Sequence, residues 1–171
     1  KSALYTEDVG NGTTAIGYDA LYYQNSDGNN EETGNTGVGF RAGRYNVTGT
    51  DNTYLGYEAG AGADGESNSR NTAVGKSALY AITTGTENVA IGKGAMDALQ
   101  ATGGNVAIGT GAFTTSTNGH NNVVIGTAAG DDATDIGNAV IIGNGAGSGV
   151  LTNAADGSIF IGYQAGSAVT V

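Results

Sequence analysis

The sequence predicts an all-β protein, a parallel β-solenoid of about ten coils with about 17 residues in each. Three observations predict it. A block of the form Asn-x-Ala-Ile/Val-Gly-x-x-Ala recurs from end to end, most plainly in "NVAIGKGAMDALQATGGNVAIGTGAF" at residues 88–113. Its period is too short for a pair of packed helices, whose repeats need about 30 residues or more. Within each copy the residues ahead of the glycine alternate as in a short strand, so Val89 and Ile91 face one way and Asn88 and Ala90 the other.

Each copy is anchored on the glycine that follows an aliphatic residue. The anchors are Gly17, Gly39, Gly56, Gly75, Gly92, Gly109, Gly126, Gly143 and Gly162, at steps of 22, 17, 19, 17, 17, 17, 17 and 19 residues. One residue earlier stand Ile16, Val38, Leu55, Val74, Ile91, Ile108, Ile125, Ile142 and Ile161. Three residues later stand Ala20, Ala42, Ala59, Ala78, Ala95, Ala112, Ala129, Ala146 and Ala165. Glycine admits positive φ and close backbone approach, which suits the corner that ends a strand, and alanine fits where little room remains.

Asparagine four before the anchor, at Asn35, Asn52, Asn71, Asn88, Asn105 and Asn122, is placed to bond the turn backbone or to ladder from coil to coil. Thr13 and Ser158 keep a polar group there, and Ala139 follows a shifted Asn138. Turn-rich loops such as "YQNSDGNNEETG" and "AGADGESNSR" join the copies, and the longest step, Gly17 to Gly39, is expected to bulge outward. The opening "KSALY" repeats at Lys76, so the chain starts inside a tenth copy. Residues 1–171 therefore read as a single repeat array, a fragment of a longer fibre with its first coil incomplete.

Both faces of the strand are largely apolar, so both are expected to be covered, one by the coil itself and the other by another copy of the chain. The column two before the anchor reads Ala15, Gly37, Tyr54, Ala73, Ala90, Ala107, Val124, Ile141 and Phe160. Close-packed interiors tolerate little change of volume, so a column running from glycine to phenylalanine is expected at an interface or cavity of changing width. The pattern leaves open which face lines the coil. Ten coils about 4.8 Å apart make a rod on the order of 48 Å, with strand edges at its ends prone to end-to-end pairing.

Composition narrows the function. With 32 glycines and no proline the chain departs from an ordinary globular domain, yet its columns stay in phase as a disordered chain would not keep them. No cysteine is present, so neither a disulfide framework nor a thiolate metal site stabilises it. A net charge of −10 with six basic residues repels nucleic acid. Apolar runs fall far short of the roughly 20 residues that cross a bilayer. Nothing in the sequence calls for a cofactor.

Together with "NTAVGKSALY" and "SIFIGYQAG", the repeated block resembles the head repeats of trimeric autotransporter adhesins and related repeats in bacteriophage tail fibres. The resemblance covers essentially the whole chain. It implies a left-handed β-roll, three chains side by side about one axis, and a rigid homotrimeric fibre on an extracellular surface or virion. Such a fibre supports attachment, with copies of itself and a cell-surface glycan or host receptor as partners.

Candidate chemistry is sparse. The clusters Asp131, Asp132, Asp135 and Asp27, Glu31, Glu32 lack the order of a calcium loop and read as solvated loop carboxylates. His120 stands alone, without a serine motif or second histidine. Tyr5, Tyr22, Tyr23, Tyr45 and Tyr80 fall five or six residues after an anchor position, and Tyr18, Tyr57 and Tyr163 directly after one. Tyr22, Tyr23, Tyr45 and Tyr80 are the candidates for stacking on sugars; the alternative is that tyrosines seal the coil edge or the seam between chains. Asn46 heads a formal glycosylation triplet, and "GNGAGSG" at 143–149 lacks the lysine of a phosphate loop.

Three functions follow for comparison. A structural and adhesive fibre explains the periodicity and the two apolar faces. An ice-binding solenoid needs one outward threonine column, which Thr14, Thr36, Thr53 and Thr72 begin and Val89, Val106, Val123, Val140 and Ile159 interrupt. A polysaccharide-degrading fibre enzyme needs two carboxylates across a groove, a pairing the sequence does not display. The first is the reading carried forward, with no catalytic and no metal residue assigned.

Overall fold

The structure, a computed structural model, describes residues 3–5, 12–25 and 32–169. Its strands are β1 (Thr14–Ile16), β2 (Thr36–Val38), β3 (Thr53–Leu55), β4 (Thr72–Val74), β5 (Val89–Ile91), β6 (Val106–Ile108), β7 (Val123–Ile125), β8 (Val140–Ile142) and β9 (Ile159–Ile161). They form one parallel sheet in sequence order, with each strand paired to the next in repeat register: Thr14 beside Thr36, Val89 beside Val106, Ile142 beside Ile161. This is a parallel β-solenoid. Helical structure among the described residues is limited to one 3₁₀ turn at Asn153–Ala155, capped by the Thr152 side chain. Of the tenth copy expected at the start, Leu4 is described, and its N–H donates to the Ala20 carbonyl at 3.1 Å. The bulge expected between Gly17 and Gly39, with Asp27 and Glu31, lies outside the described residues.

The anchor glycines make the corners. All have φ between 129° and 141°, a region side chains rarely enter. Stacking adds a second demand: a Cβ on Gly56 would lie 2.6 Å from the Gly75 carbonyl oxygen, and one on Gly75 would lie 2.7 Å from that of Gly92. Beyond each anchor the backbone turns left-handed again, at Ser77 (φ 56°), Leu79 (φ 51°), Met96 (φ 50°) and Phe113 (φ 57°). Such a conformation costs about 1–2 kcal/mol per residue, which burial of the three large side chains offsets.

Asparagine forms an unbroken internal ladder from Asn35 to Asn122. The Asn88 Oδ1 accepts from the backbone N–H of Asn105 at 3.1 Å and from its Nδ2 at 3.0 Å, while the Asn88 Nδ2 donates to the Thr102 carbonyl at 2.9 Å. Each amide thus bonds both a turn and the neighbouring coil, which are the two expected roles. At the lower end Asn35 donates to the Gln24 side chain at 2.6 Å; at the upper end Asn122 accepts from the Ala139 N–H at 2.9 Å, where the column loses its amide.

The column two before the anchor points inward into a packed coil, and here the expectation of an interface or cavity of changing width is overturned. Tyr54, Ala73, Ala90, Ala107, Val124 and Ile141 are fully buried in the coil, with the anchor+3 alanines from Ala20 to Ala146 beside them. The changing volume is absorbed within the chain by the residue four after the anchor. Small strand residues go with large corner residues: Ala73 with Leu79, Ala90 with Met96, Ala107 with Phe113. Large strand residues go with glycine: Tyr54 with Gly60, Ile141 with Gly147, Phe160 with Gly166. In β2's coil both positions are glycine, and the gaps are filled by Leu21 from one neighbour and Tyr54 from the other. A uniform packing density is kept by different residues in each coil.

Candidate functional surface

With the interior settled, the strand residues one and three before the anchor face outward. Ile16, Val38, Leu55, Val74, Ile91, Ile108, Ile125, Ile142 and Ile161 form one lane, and Thr14, Thr36, Thr53, Thr72, Val89, Val106, Val123, Val140 and Ile159 the other. Every one of these is exposed or half-buried; Ile16 keeps 61% of its surface open and Leu55 47%. The covered second face expected from the sequence is therefore open in a single chain. Two lanes along nine strands present a face on the order of 1,000 Å², comparable to what one partner buries in a specific protein contact.

Aromatic residues line one side of this face. Tyr18, Phe40 and Tyr57, each directly after an anchor, stack at centroid separations of 5.2 and 4.9 Å, and Lys76 continues the row 5.3 Å from the Tyr57 ring. Phe40 belongs to this ladder although reasoning from tyrosines alone passes over it; the shared offset from the anchor is the signal that finds it. A second group joins Tyr5 to Tyr22 (stacked, 4.9 Å), Tyr22 to Tyr23 (edge-on, 4.8 Å) and Tyr23 to Tyr45 (stacked, 5.3 Å). The Arg44 guanidinium lies 4.8 Å from the Tyr45 ring and 3.8 Å from the Asp19 carboxylate. Ring faces in both groups are taken up by one another, which suits sealing of the coil edge better than stacking on a sugar. Tyr80 is set apart, 46% exposed and in no ring contact among the described residues.

The remaining candidates are dispersed. Asp132 and Asp135 are exposed, while Asp131 is partly buried; its carboxyl is held above the ordinary range first by burial and then by the charge of Asp132. Burial likewise raises Asp97. No group of three histidine, cysteine, aspartate or glutamate residues among the described residues is placed to hold a metal. His120 is exposed, with its ring over Gly137. Asn46 is fully buried, its Nδ2 donating to the Gly49 carbonyl at 3.1 Å and its Oδ1 accepting from the Asn68 N–H at 3.0 Å, so the folded chain withholds it from glycosylation. The stretch 143–149 forms an ordinary corner of the stack, with Gly143, Gly145 and Gly147 at positive φ. Among the described residues no cleft opens on the surface, and no helix is long and apolar enough to cross a membrane.

Ion pairs join neighbouring coils at two places: Arg41 with Glu58 at 3.4 Å, each two residues after its anchor, and Arg70 with Glu87 at 3.0 Å, each five residues before. The chain matches no protein-family model, no curated protein and no solved structure.

Proposed function

We propose that this chain is a rigid shaft or head segment of an adhesive fibre, built from three left-handed β-rolls about a common axis on a cell surface or virion. One observation carries this reading: the outward lanes keep a nearly constant shape through all nine strands although no described residue covers them. Apart from Leu55, all are β-branched. Strand preference favours branched residues, but strand preference alone admits tyrosine, as Tyr54 shows on the inner side. A flat partner of fixed shape accounts for the uniformity, and a second copy offers the same flat face. The role is mechanical and adhesive, with receptor contacts made by the exposed rim or by parts of the fibre beyond this segment.

The test is the absolute molar mass in solution by light scattering behind a sizing column. About three times the chain mass of 16.8 kDa is expected. A stable monomer overturns the assembly and favours the second reading, an ice-binding face. That reading is motivated by the outward hydroxyls of Thr14, Thr36, Thr53 and Thr72, aligned one per strand and in no hydrogen bond among the described residues. Thermal hysteresis of the monomer would then decide it.

A further inference from the structure

The residue directly after each anchor stands at the corner where the strand ends, beside the outward face. From β4 to β8 this row reads Lys76, Lys93, Thr110, Thr127 and Asn144, and all five side chains are exposed. The backbone that carries them is pinned from coil to coil. The Lys76 carbonyl accepts from the Gly94 N–H at 2.9 Å, Lys93 from Gly111 at 2.9 Å, Thr110 from Ala128 at 3.0 Å, Thr127 from Gly145 at 3.0 Å and Asn144 from Gln164 at 2.9 Å. Five polar side chains therefore rise from one line, one per coil, about 4.8 Å apart.

Among the described residues these groups lack polar partners. Across the nine coils the row holds no aspartate or glutamate, although the chain has 16 of them. Arg41, Arg44 and Arg70 are each paired with a carboxylate, whereas neither Lys76 nor Lys93 forms an ion pair among the described residues. Lys76 rests against the Tyr57 ring, 5.3 Å from its centroid. The Thr110 and Thr127 hydroxyls and the Asn144 amide form no hydrogen bond among the described residues. Two ammoniums on adjacent coils repel each other, and an anion laid along them relieves that repulsion. An unpaired charge also resists burial, so in the proposed assembly this row stays on the solvent-facing rim.

We infer that the row is a binding strip for an acidic polysaccharide laid along the coil stack, one sugar to a coil, with its anionic groups at Lys76 and Lys93 and its hydroxyls at Thr110, Thr127 and Asn144. The inference rests on the adhesive role proposed above and names its partner. Spacing selects the polymer. An extended pyranose chain advances by about one coil spacing per sugar, whereas a peptide strand advances about 3.4 Å per residue and falls out of step. Charge density disfavours the other polyanions: a DNA duplex carries one charge per about 1.7 Å, and a lipid surface is read by clusters of about 4–8 basic residues. Lysine is a point charge on a flexible stem, so it suits a carboxylate or a sulfate.

The test titrates polygalacturonate, which carries carboxylates, dextran sulfate, which carries sulfates, and neutral dextran into the full chain by calorimetry at low salt. One or both of the anionic probes are expected to bind, which identifies the anion, and neutral dextran is expected not to. Lys76→Gln/Lys93→Gln is expected to weaken binding at least about tenfold, and Thr110→Ala/Thr127→Ala about threefold. Arg41→Gln/Arg70→Gln removes the same charge away from the row and is expected to change binding by less than about twofold. Circular dichroism checks that each variant is folded. No binding of either anionic probe overturns the strip. So does a lysine variant that loses no more than the arginine variant, or tighter binding of single-stranded DNA than of either polysaccharide. Assembly is read separately from the molar mass: a monomer that binds through the two lysines refutes the trimer and keeps the strip, whereas a trimer indifferent to both probes keeps the assembly and refutes the strip.

Discussion

On the inner side of the sheet the strand residue changes from Gly37 to Tyr54 in a single step, while on the outer side threonine, valine or isoleucine occupies almost every position of both lanes. The inner side has a partner inside each coil. When Ala107 gives way to Ile141 two coils on, the corner residue changes from Phe113 to Gly147, and the volume is restored locally. No described residue packs on the outer side to compensate for a change there, so in the proposed assembly its shape must already suit the neighbouring copy. Variation is thus tolerated where the chain corrects it and suppressed where a separate body would have to.

The corner backbone stands apart from this comparison, and breaking it gives the largest expected effect. Gly75→Ala forces a methyl against the Gly92 carbonyl as well as a disfavoured φ of 129°, and is expected to cost more than about 4 kcal/mol in urea unfolding. Gly162→Ala suffers the same φ, but the nearest atom to its Cβ is that of Ala165 at 3.9 Å, so about 1–3 kcal/mol is expected. Equal losses would show that stacking adds nothing to the glycine requirement.

Compensation inside the coil is tested by a double-mutant cycle. Phe113→Gly is expected to cost about 3–5 kcal/mol through the cavity it leaves, and Ala107→Ile about 1–3 kcal/mol through overpacking. Together they reproduce the Ile141 and Gly147 combination, so their coupling is expected to recover about 2 kcal/mol or more of the summed losses. Simple additivity would remove the compensation.

Asn105→Ala leaves the Asn122 backbone N–H, bonded to it at 3.1 Å, without a partner in the interior and takes one of two acceptors from the Asn122 Nδ2, which keeps the Ile136 carbonyl, and is expected to cost about 2–3 kcal/mol. On the outer side, Ile108→Thr is expected to change the stability of the unassembled chain by less than about 0.5 kcal/mol. A large loss at low protein concentration would mean that the lane has a partner within its own chain.

The smallest effect is one of pH. Asp131 takes up its proton at higher pH in the folded chain than when unfolded, because burial and Asp132 both penalise its charge. The folded state then binds more protons, so stability contributed by this group rises as pH falls through the folded-state value toward the ordinary 3.8 and is lost again as pH climbs back. Asp131→Asn is expected to flatten that part of the profile of melting temperature against pH; an unchanged profile would refute the assignment.

Much of this was legible in the repeat. The anchor glycines, the inward alanines and the asparagine ladder each occupy one column, and a column in phase with the strand period has a definite place in a stacked coil. The inner column has no constant volume at any one position, yet Ala107 with Phe113 and Ile141 with Gly147 already show the exchange of volume in the linear sequence. Tyrosine stacking was harder to foresee, since it depends on side chains from neighbouring coils meeting at the same corner, as Tyr23 and Tyr45 do. By itself the sequence determined the architecture, because periodic glycine and alternating apolar residues allow few backbones other than a parallel stack. Only the tertiary structure decided which face is core and which is open: alternation tells that two faces differ, but the direction in which the corner turns selects the one the coil encloses.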